Sequence, residues 1–267
     1  MYFLHHWLRV LRRRLPANVR RQLRALWQRL PMNLRRWLRA LLRLRSSPPV
    51  GQVNFGSLRG VTPFSLEFGN DRGQPIDRYY IENFLAHQAE NIRGRVLEIE
   101  DDFYTRKYGG SSVKTSDILH IDEGNPQATI VADLTCADRI PSNVFDCIIL
   151  TQTLQYVYDV RSAVRTLHRI LRPGGILLAT FPGISQINYP EWGDWHWEFT
   201  THSVRRLFEE AFPAENCRVE AQGNVLVAIS FLQGLAVEEL SQEELDYRDS
   251  HYQVLITLRA VKAEAIP

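Results

Sequence analysis

The stretch Phe145–Gly183, FDCIILTQTLQYVYDVRSAVRTLHRILRPGGILLATFPG, decides the fold. It opens with an Asp and a four-residue apolar run, Cys147 to Leu150, short and β-branched, which reads as a strand buried on both faces. Thr151 and Gln152 follow at the strand's expected end. Apolar residues then recur at helical spacing at Val160, Ala163, Val164, Leu167 and Leu171. Pro173-Gly174-Gly175 is expected to stop that helix and form a turn before a second buried strand, Ile176 to Phe181, closed by Pro182-Gly183. Strand, helix and strand of this size make a right-handed crossover in a parallel sheet.

The "FD" strand and the helix ending in "LRPGG" resemble the fourth and fifth strands of class I S-adenosylmethionine (SAM)-dependent methyltransferases, in particular the type 11-like enzymes of glycan-assembly pathways. The resemblance spans roughly residues 75–261 and implies a Rossmann-like seven-stranded α/β sheet with helices on both faces. It also implies SAM as cofactor and methyl transfer to a small-molecule or glycan acceptor.

Outward from this centre, Val96-Leu97-Glu98-Ile99 reads as the first strand. The family continues with an acid and alternating glycines. Glu98 stands at the acid, but Glu100, Asp102 and Tyr104 occupy the glycine positions of EDDFYTRKYGG. Two accounts stay open. In one, the loop is rebuilt and its carboxylates, Glu98 and Asp101 among them, engage the cationic cofactor. In the other, the chain is a catalytically inactive scaffold of methyltransferase-like fold, and Arg106 and Lys107 neutralise the acids. Ile118–Ile121 and Ala128–Ala132 are the expected second and third strands. The resemblance assigns Asp122 to the ribose, with Glu123 as the alternative, and Asp133 and Leu134 to the adenine; Asp133 also reads as a helix cap. Thr151 and Gln152 complete the implied cofactor set.

On the acceptor side, many relatives place a Glu-His pair after the fourth strand; this chain has Gln155 and Tyr156. Further on, Trp192, Trp195 and Trp197 crowd a loop, and Trp197-Glu198-Phe199-Thr200 resembles the W-x-F-T of glycan-pathway methyltransferases. His196 is the candidate general base for an O-methylation, against a plain packing role. A helix is expected over 71–91, where Tyr79 or Tyr80 faces either the cofactor or the core. A covered helix over 224–240 and strands at 217–221 and 252–261 close the sheet.

Ahead of this domain, residues 1–45 carry 13 Arg and no Lys, Asp or Glu, leaving 19 basic against 30 acidic residues elsewhere, a net charge of −11. Two fifteen-residue units, LPANVRRQLRALWQR from Leu15 and LPMNLRRWLRALLRL from Leu30, agree at nine positions. Pro16 and Pro31 suit helix first turns. Leucines and Trp27 form one stripe, with arginines over much of the rest. This basic amphipathic helical arm is too interrupted to span a bilayer and is expected to lie on an anionic membrane surface. A protein partner or nucleic acid is the alternative, the latter less favoured. Residues 46–70 read as a linker and packing segment, and 71–267 as the methyltransferase-like domain. Cys136, Cys147 and Cys217 match no metal or disulfide spacing, which suits a reducing, cytoplasmic setting with peripheral membrane attachment.

Overall fold

The structure is a computed structural model that describes residues 48–187 and 193–264. The repeats of the arm, Trp192 and the tyrosine at 189 lie outside the described residues. The chain divides into two units, 1–59 and 60–267. In the second, seven strands form one sheet: β1 (Gly94–Ile99), β2 (Val113–His120), β3 (Ile130–Val131), β4 (Phe145–Thr151), β5 (Leu171–Pro182), β6 (Cys217–Gln222) and β7 (Leu255–Val261). Their order is β3-β2-β1-β4-β5-β7-β6. The first five pair in parallel, while β7 runs antiparallel to both β5 and β6.

The central strands are apolar on both faces because both faces are covered. Ile148, Leu150, Leu177, Ala179 and Phe181 point into one layer with Ala163, Val164 and Leu167 of α2 (Val160–Ile170) and with Val204 and Phe208 of α3 (Thr201–Phe208). Cys147, Ile149, Ile176 and Leu178 point the other way, onto Tyr80, Ile81 and Leu85 of α1 (Ile76–His87) and onto Val227 and Phe231 of α4 (Val225–Leu232). A short helix, α5 (Gln242–Asp246), adds Leu245 to this second layer.

Side-chain caps set where the helices begin. Asp159 accepts a bond from the Ser162 amide at 3.0 Å, and Thr200 and Ser203 form a reciprocal capping box. Asn224 Oδ1 accepts from the amides of Leu226 and Val227 at 2.9 and 3.1 Å, while its Nδ2 donates to the Glu244 and Tyr247 carbonyls.

Several boundaries differ from the sequence reading. Pro173-Gly174-Gly175 is not a turn after the helix: α2 ends at Ile170 and β5 begins at Leu171, running through the Pro-Gly-Gly with a register shift against β4. The physical role of the "FD" and "LR" pairs is a clamp. Asp146 accepts from the Arg95 amide at 2.7 Å and from Arg172 Nη1 at 2.8 Å, fastening β1, β4 and β5 at their entry ends. The expected helix over 224–240 stops at Leu232, where Gly234 adopts φ +66° and the Phe64 amide donates to the Gln233 carbonyl at 2.8 Å. Strand β2 starts five residues earlier than expected, at Val113. At Gly183 a side chain is impossible: a Cβ there would stand 2.0 Å from the Gln253 carbonyl oxygen. The close pass holds the segment after β5 against the approach to β7.

Candidate active site

Sequence-predicted site residues gather where β1 to β5 end, the edge at which open α/β sheets bind ligands. Glu98, the penultimate residue of β1, is buried. Its two carboxylate oxygens accept bonds from the amides of Tyr104 and Thr105 at 3.1 and 2.7 Å. Burial pushes its pKa up to about 7, against the opposing pull of the Thr105 and Tyr104 bonds. Glu98 is thus the anchor of the loop that follows.

That loop turns at Glu100 with φ +77°, the left-handed conformation for which glycine is the unstrained choice. Asp101 accepts from the Phe103 amide at 2.8 Å. The chain then enters a single π turn, Thr105–Gly109. Asp102 pairs with Arg106, but Lys107 reaches instead to Glu82 on α1, at 2.9 Å. Only one of the two cations proposed to neutralise the loop acids therefore does so. The carboxylates of Glu100 and Asp101 stay at the surface.

His120, the last residue of β2, bridges the acids of adjacent strands. Its Nε2 lies 3.4 Å from Glu100 Oε2 and its Nδ1 3.1 Å from Asp122 Oδ1. Sequence reasoning passed over His120; the available signal was a histidine at the end of a strand, two positions before the ribose-assigned acid. Asp122 also accepts from the Gly124 amide at 2.8 Å, and Asn125 donates to the Glu100 carbonyl at 2.5 Å. Beyond β3, Asp133 caps a turn through bonds from the Thr135 amide and hydroxyl, both at 2.8 Å, and no helix follows it among residues 134–144. Leu134 is buried beside it.

After β4, Gln152 takes φ +46° and its amide donates to the Thr180 carbonyl at 3.1 Å, so Thr151 and Gln152 sit at the mouth between β4 and β5. Gln155 is almost fully enclosed, at 1% exposure. Its Nε2 donates to the Gln152 carbonyl at 2.9 Å, and its own carbonyl accepts from the amides of His196 and Trp197 at 2.7 and 3.3 Å. Trp197 Nε1 donates to the Val157 carbonyl at 3.1 Å, and its ring stacks on Tyr158. The aromatic stretch 195–197 is in this way zipped onto 155–158. Two buried polar atoms at the seam, Gln155 Oε1 and Trp195 Nε1, have no hydrogen-bond partner among the described residues. His196 itself is exposed and packs edge-on to Tyr158, with no carboxylate among the described residues to orient it. Tyr80 is a core residue, donating to the Leu245 carbonyl at 2.7 Å; Tyr79 donates to Asp246 at 2.9 Å. Neither reaches the acids at the sheet edge.

Residues 86–179 match a family model described as a methyltransferase domain. No curated protein matches the chain. Among solved structures the chain is similar to the [4+2]-cyclase SpnF, at 15% identity and a TM-score of 0.49, over 77% of this chain and 88% of that one. It is also similar to a SAM-dependent methyltransferase from Archaeoglobus fulgidus, at 12% identity and a TM-score of 0.47, over 69% and 94%. A third likeness is to phosphoethanolamine N-methyltransferase 2 of Haemonchus contortus, at 15% identity and a TM-score of 0.45, over 75% and 61%. At such scores these likenesses carry no argument about activity. The matched segment holds the strand–helix–strand unit and the acid-bearing ends of β1, β2 and β3, inside a seven-stranded sheet with one antiparallel strand: residues 86–179 match a methyltransferase domain, and the sheet around them has the Rossmann-like methyltransferase fold.

Proposed function

We propose that the domain transfers a methyl group from SAM to a hydroxyl-bearing small molecule or glycan. The observation that carries the acceptor reading is the orphan pair at the seam of the aromatic loop. Gln155 Oε1 can accept a hydrogen bond from a hydroxyl, and Trp195 N–H can donate one to the hydroxyl oxygen. Buried polar atoms of this kind are normally satisfied, so a polar partner is expected there. The surrounding aromatic rings suit the flat apolar faces of a sugar.

The donor set fits the cofactor. SAM carries a sulfonium and an ammonium, and the exposed carboxylates of Glu100, Asp101, Asp122 and Asp133 give the sheet edge a matching negative charge. The left-handed turn at Glu100 supports the same reading, since it is the conformation a glycine would adopt there. Asp122 and Asp133 would hold the ribose and adenine ends, with Leu134, Thr151 and Gln152 completing the wall. Glu98 would act indirectly, by fixing the loop amides. When bound, SAM supplies an electrophilic methyl carbon. The chain's own residues then orient the acceptor, and the aromatic loop keeps water from the seam. Positioning of this kind provides much of the acceleration of a bimolecular displacement. His196 is the candidate to take the hydroxyl proton.

A second reading, an inactive scaffold, is favoured by one observation: Glu100, Asp102 and Tyr104 stand where the family places glycines. Calorimetry of the full chain with SAM and with S-adenosylhomocysteine separates the two. Binding of both at micromolar levels is expected, and no heat with either cofactor would leave the scaffold. For residues 1–45 we propose attachment to an anionic membrane surface, since each basic residue contributes on the order of 1 kcal/mol there. A peptide of residues 1–45 should gain helicity on anionic vesicles and stay partly bound at high salt. Complete release by salt, as from nucleic acid, would refute the membrane reading.

A further inference from the structure

A cavity of about 460 Å³ opens between α1 and the β6–β7 hairpin, on the face of the sheet that α1 covers. Side chains alternate across a strand, so Arg218, Glu220 and Gln222 of β6 share this face with Thr257 and Arg259 of β7. The register sets Arg218 directly opposite Arg259. Like charges in that position repel across a few ångströms. The third arginine of the wall is Arg248.

One carboxylate serves two of these cations. Glu220 pairs with Arg218 at 2.6 Å and with Arg248 at 3.4 Å. The other acid of the wall, Asp246, accepts from Tyr79 and Gln242. Arg259 is half-buried, and its guanidinium has no ion pair, hydrogen bond or ring contact among the described residues. The rest of the wall comes from α1, with Tyr79, Asn83, Phe84 and His87, and from Gln88 just past its end. A guanidinium with five donors and no acceptor, held in a concave wall beside a second guanidinium, is a site for an oxyanion. The aromatic wall adds a surface for a flat or apolar body.

We propose that this cavity is a second binding site, for an organic phosphate whose anionic group meets Arg259 and whose body lies against Tyr79 and Phe84. It is built from β6, β7 and α1, whereas the SAM-assigned acids follow β1, β2 and β3, so its occupant is neither cofactor nor acceptor. An anion there would also relieve the Arg218–Arg259 repulsion and stiffen the antiparallel hairpin that closes the sheet.

The test uses the full chain at low salt, titrated with phenyl phosphate and, separately, mixed with phosphatidylcholine vesicles containing phosphatidate. Because residues 1–45 also attract anions, the decisive quantity is dependence on Arg259. Arg259→Gln should weaken phenyl phosphate binding by about ten-fold or more, and Arg259→Lys should fall between. SAM affinity should be unchanged in both variants, which separates this site from the cofactor reading. Without ligand, Arg259→Gln should melt higher than the parent, since the like-charge pair is gone, and this also reports that the variant folds. Arg259-dependent phenyl phosphate binding assigns the site to soluble phosphate esters. Arg259-dependent capture on phosphatidate vesicles alone assigns it to a lipid headgroup. Binding of neither probe, or binding that Arg259→Gln leaves unaltered, overturns the proposal.

Discussion

Glu98 gives the fold a pH dependence that can be isolated by one substitution. In the folded state its pKa is raised, from an ordinary 4.5 to about 7, because burial penalises the carboxylate. The unfolded chain releases this proton near the ordinary value, so between the two the folded state holds more protons and stability falls as pH rises. The stabilising preference is fully present below the unfolded pKa and is lost as pH passes the folded one. A shift of this size, at about 1.4 kcal/mol per unit, makes the loss between pH 5 and pH 8 roughly 2–3 kcal/mol. Glu98→Gln removes the titration while keeping the shape. It replaces one acceptor by a donor, so either the Tyr104 or the Thr105 amide loses its partner. That loss is the same at every pH. Urea unfolding of the two proteins at half-unit steps from pH 5 to pH 8 gives the difference directly, since other groups cancel. The variant should gain on the parent by roughly 2–3 kcal/mol across the range. Parallel curves would refute the assignment of a raised pKa to Glu98 and with it the account of the loop anchor.

Three further outcomes are expected. Glu100→Gly should relieve the left-handed strain at φ +77°, worth about 1–2 kcal/mol, and raise the Tm by a few degrees in a thermal melt. Asn224→Ala should destabilise by about 2–4 kcal/mol in denaturant titration, because it removes the α4 cap and two bonds to the α5 region together. Asp122→Ala and Asp133→Ala should each weaken SAM binding by roughly ten- to a hundred-fold in calorimetry while the domain still folds; unaltered affinity in both would remove these acids from the cofactor site.

The parallel core was legible because its signals are local. The apolar run of β4, the helical spacing of α2 and the FD and LR pairs each lie within a few residues, and the partners they imply are nearest neighbours in the sheet. The end of α4 was not legible, since it depends on Ser65 and Phe64 packing at Gly234 from far away in sequence. Pro173-Gly174-Gly175 reads locally as a turn, yet the Lys262 backbone pairs with Gly174 and Gly175, and β4 pairs on either side of the bulge, at Leu171 and Ile176, which keeps it within the strand. At the site, residue types marked the edge, but not which carboxylates are committed. Glu98 looks like its neighbours in sequence; only burial and two backbone amides separate it from Glu100 and Asp101. His120 and the Gln155–Trp195 seam were missed for the same reason, being defined by contacts between segments.

The antiparallel strand β7 has a consequence for synthesis. It pairs along the whole apolar length of β5, from Ile176 opposite Val261 to Pro182 opposite Leu255. Between Pro182 and Leu255 the ribosome adds some seventy residues, which takes roughly 4 to 15 seconds at about 5–20 residues per second. During that interval the nascent chain presents Ile176 to Phe181 as a strand edge with open amides and carbonyls, apolar on both sides. A strand that is interior in the finished sheet is therefore, for seconds in every round of translation, the part of the chain most in need of a chaperone.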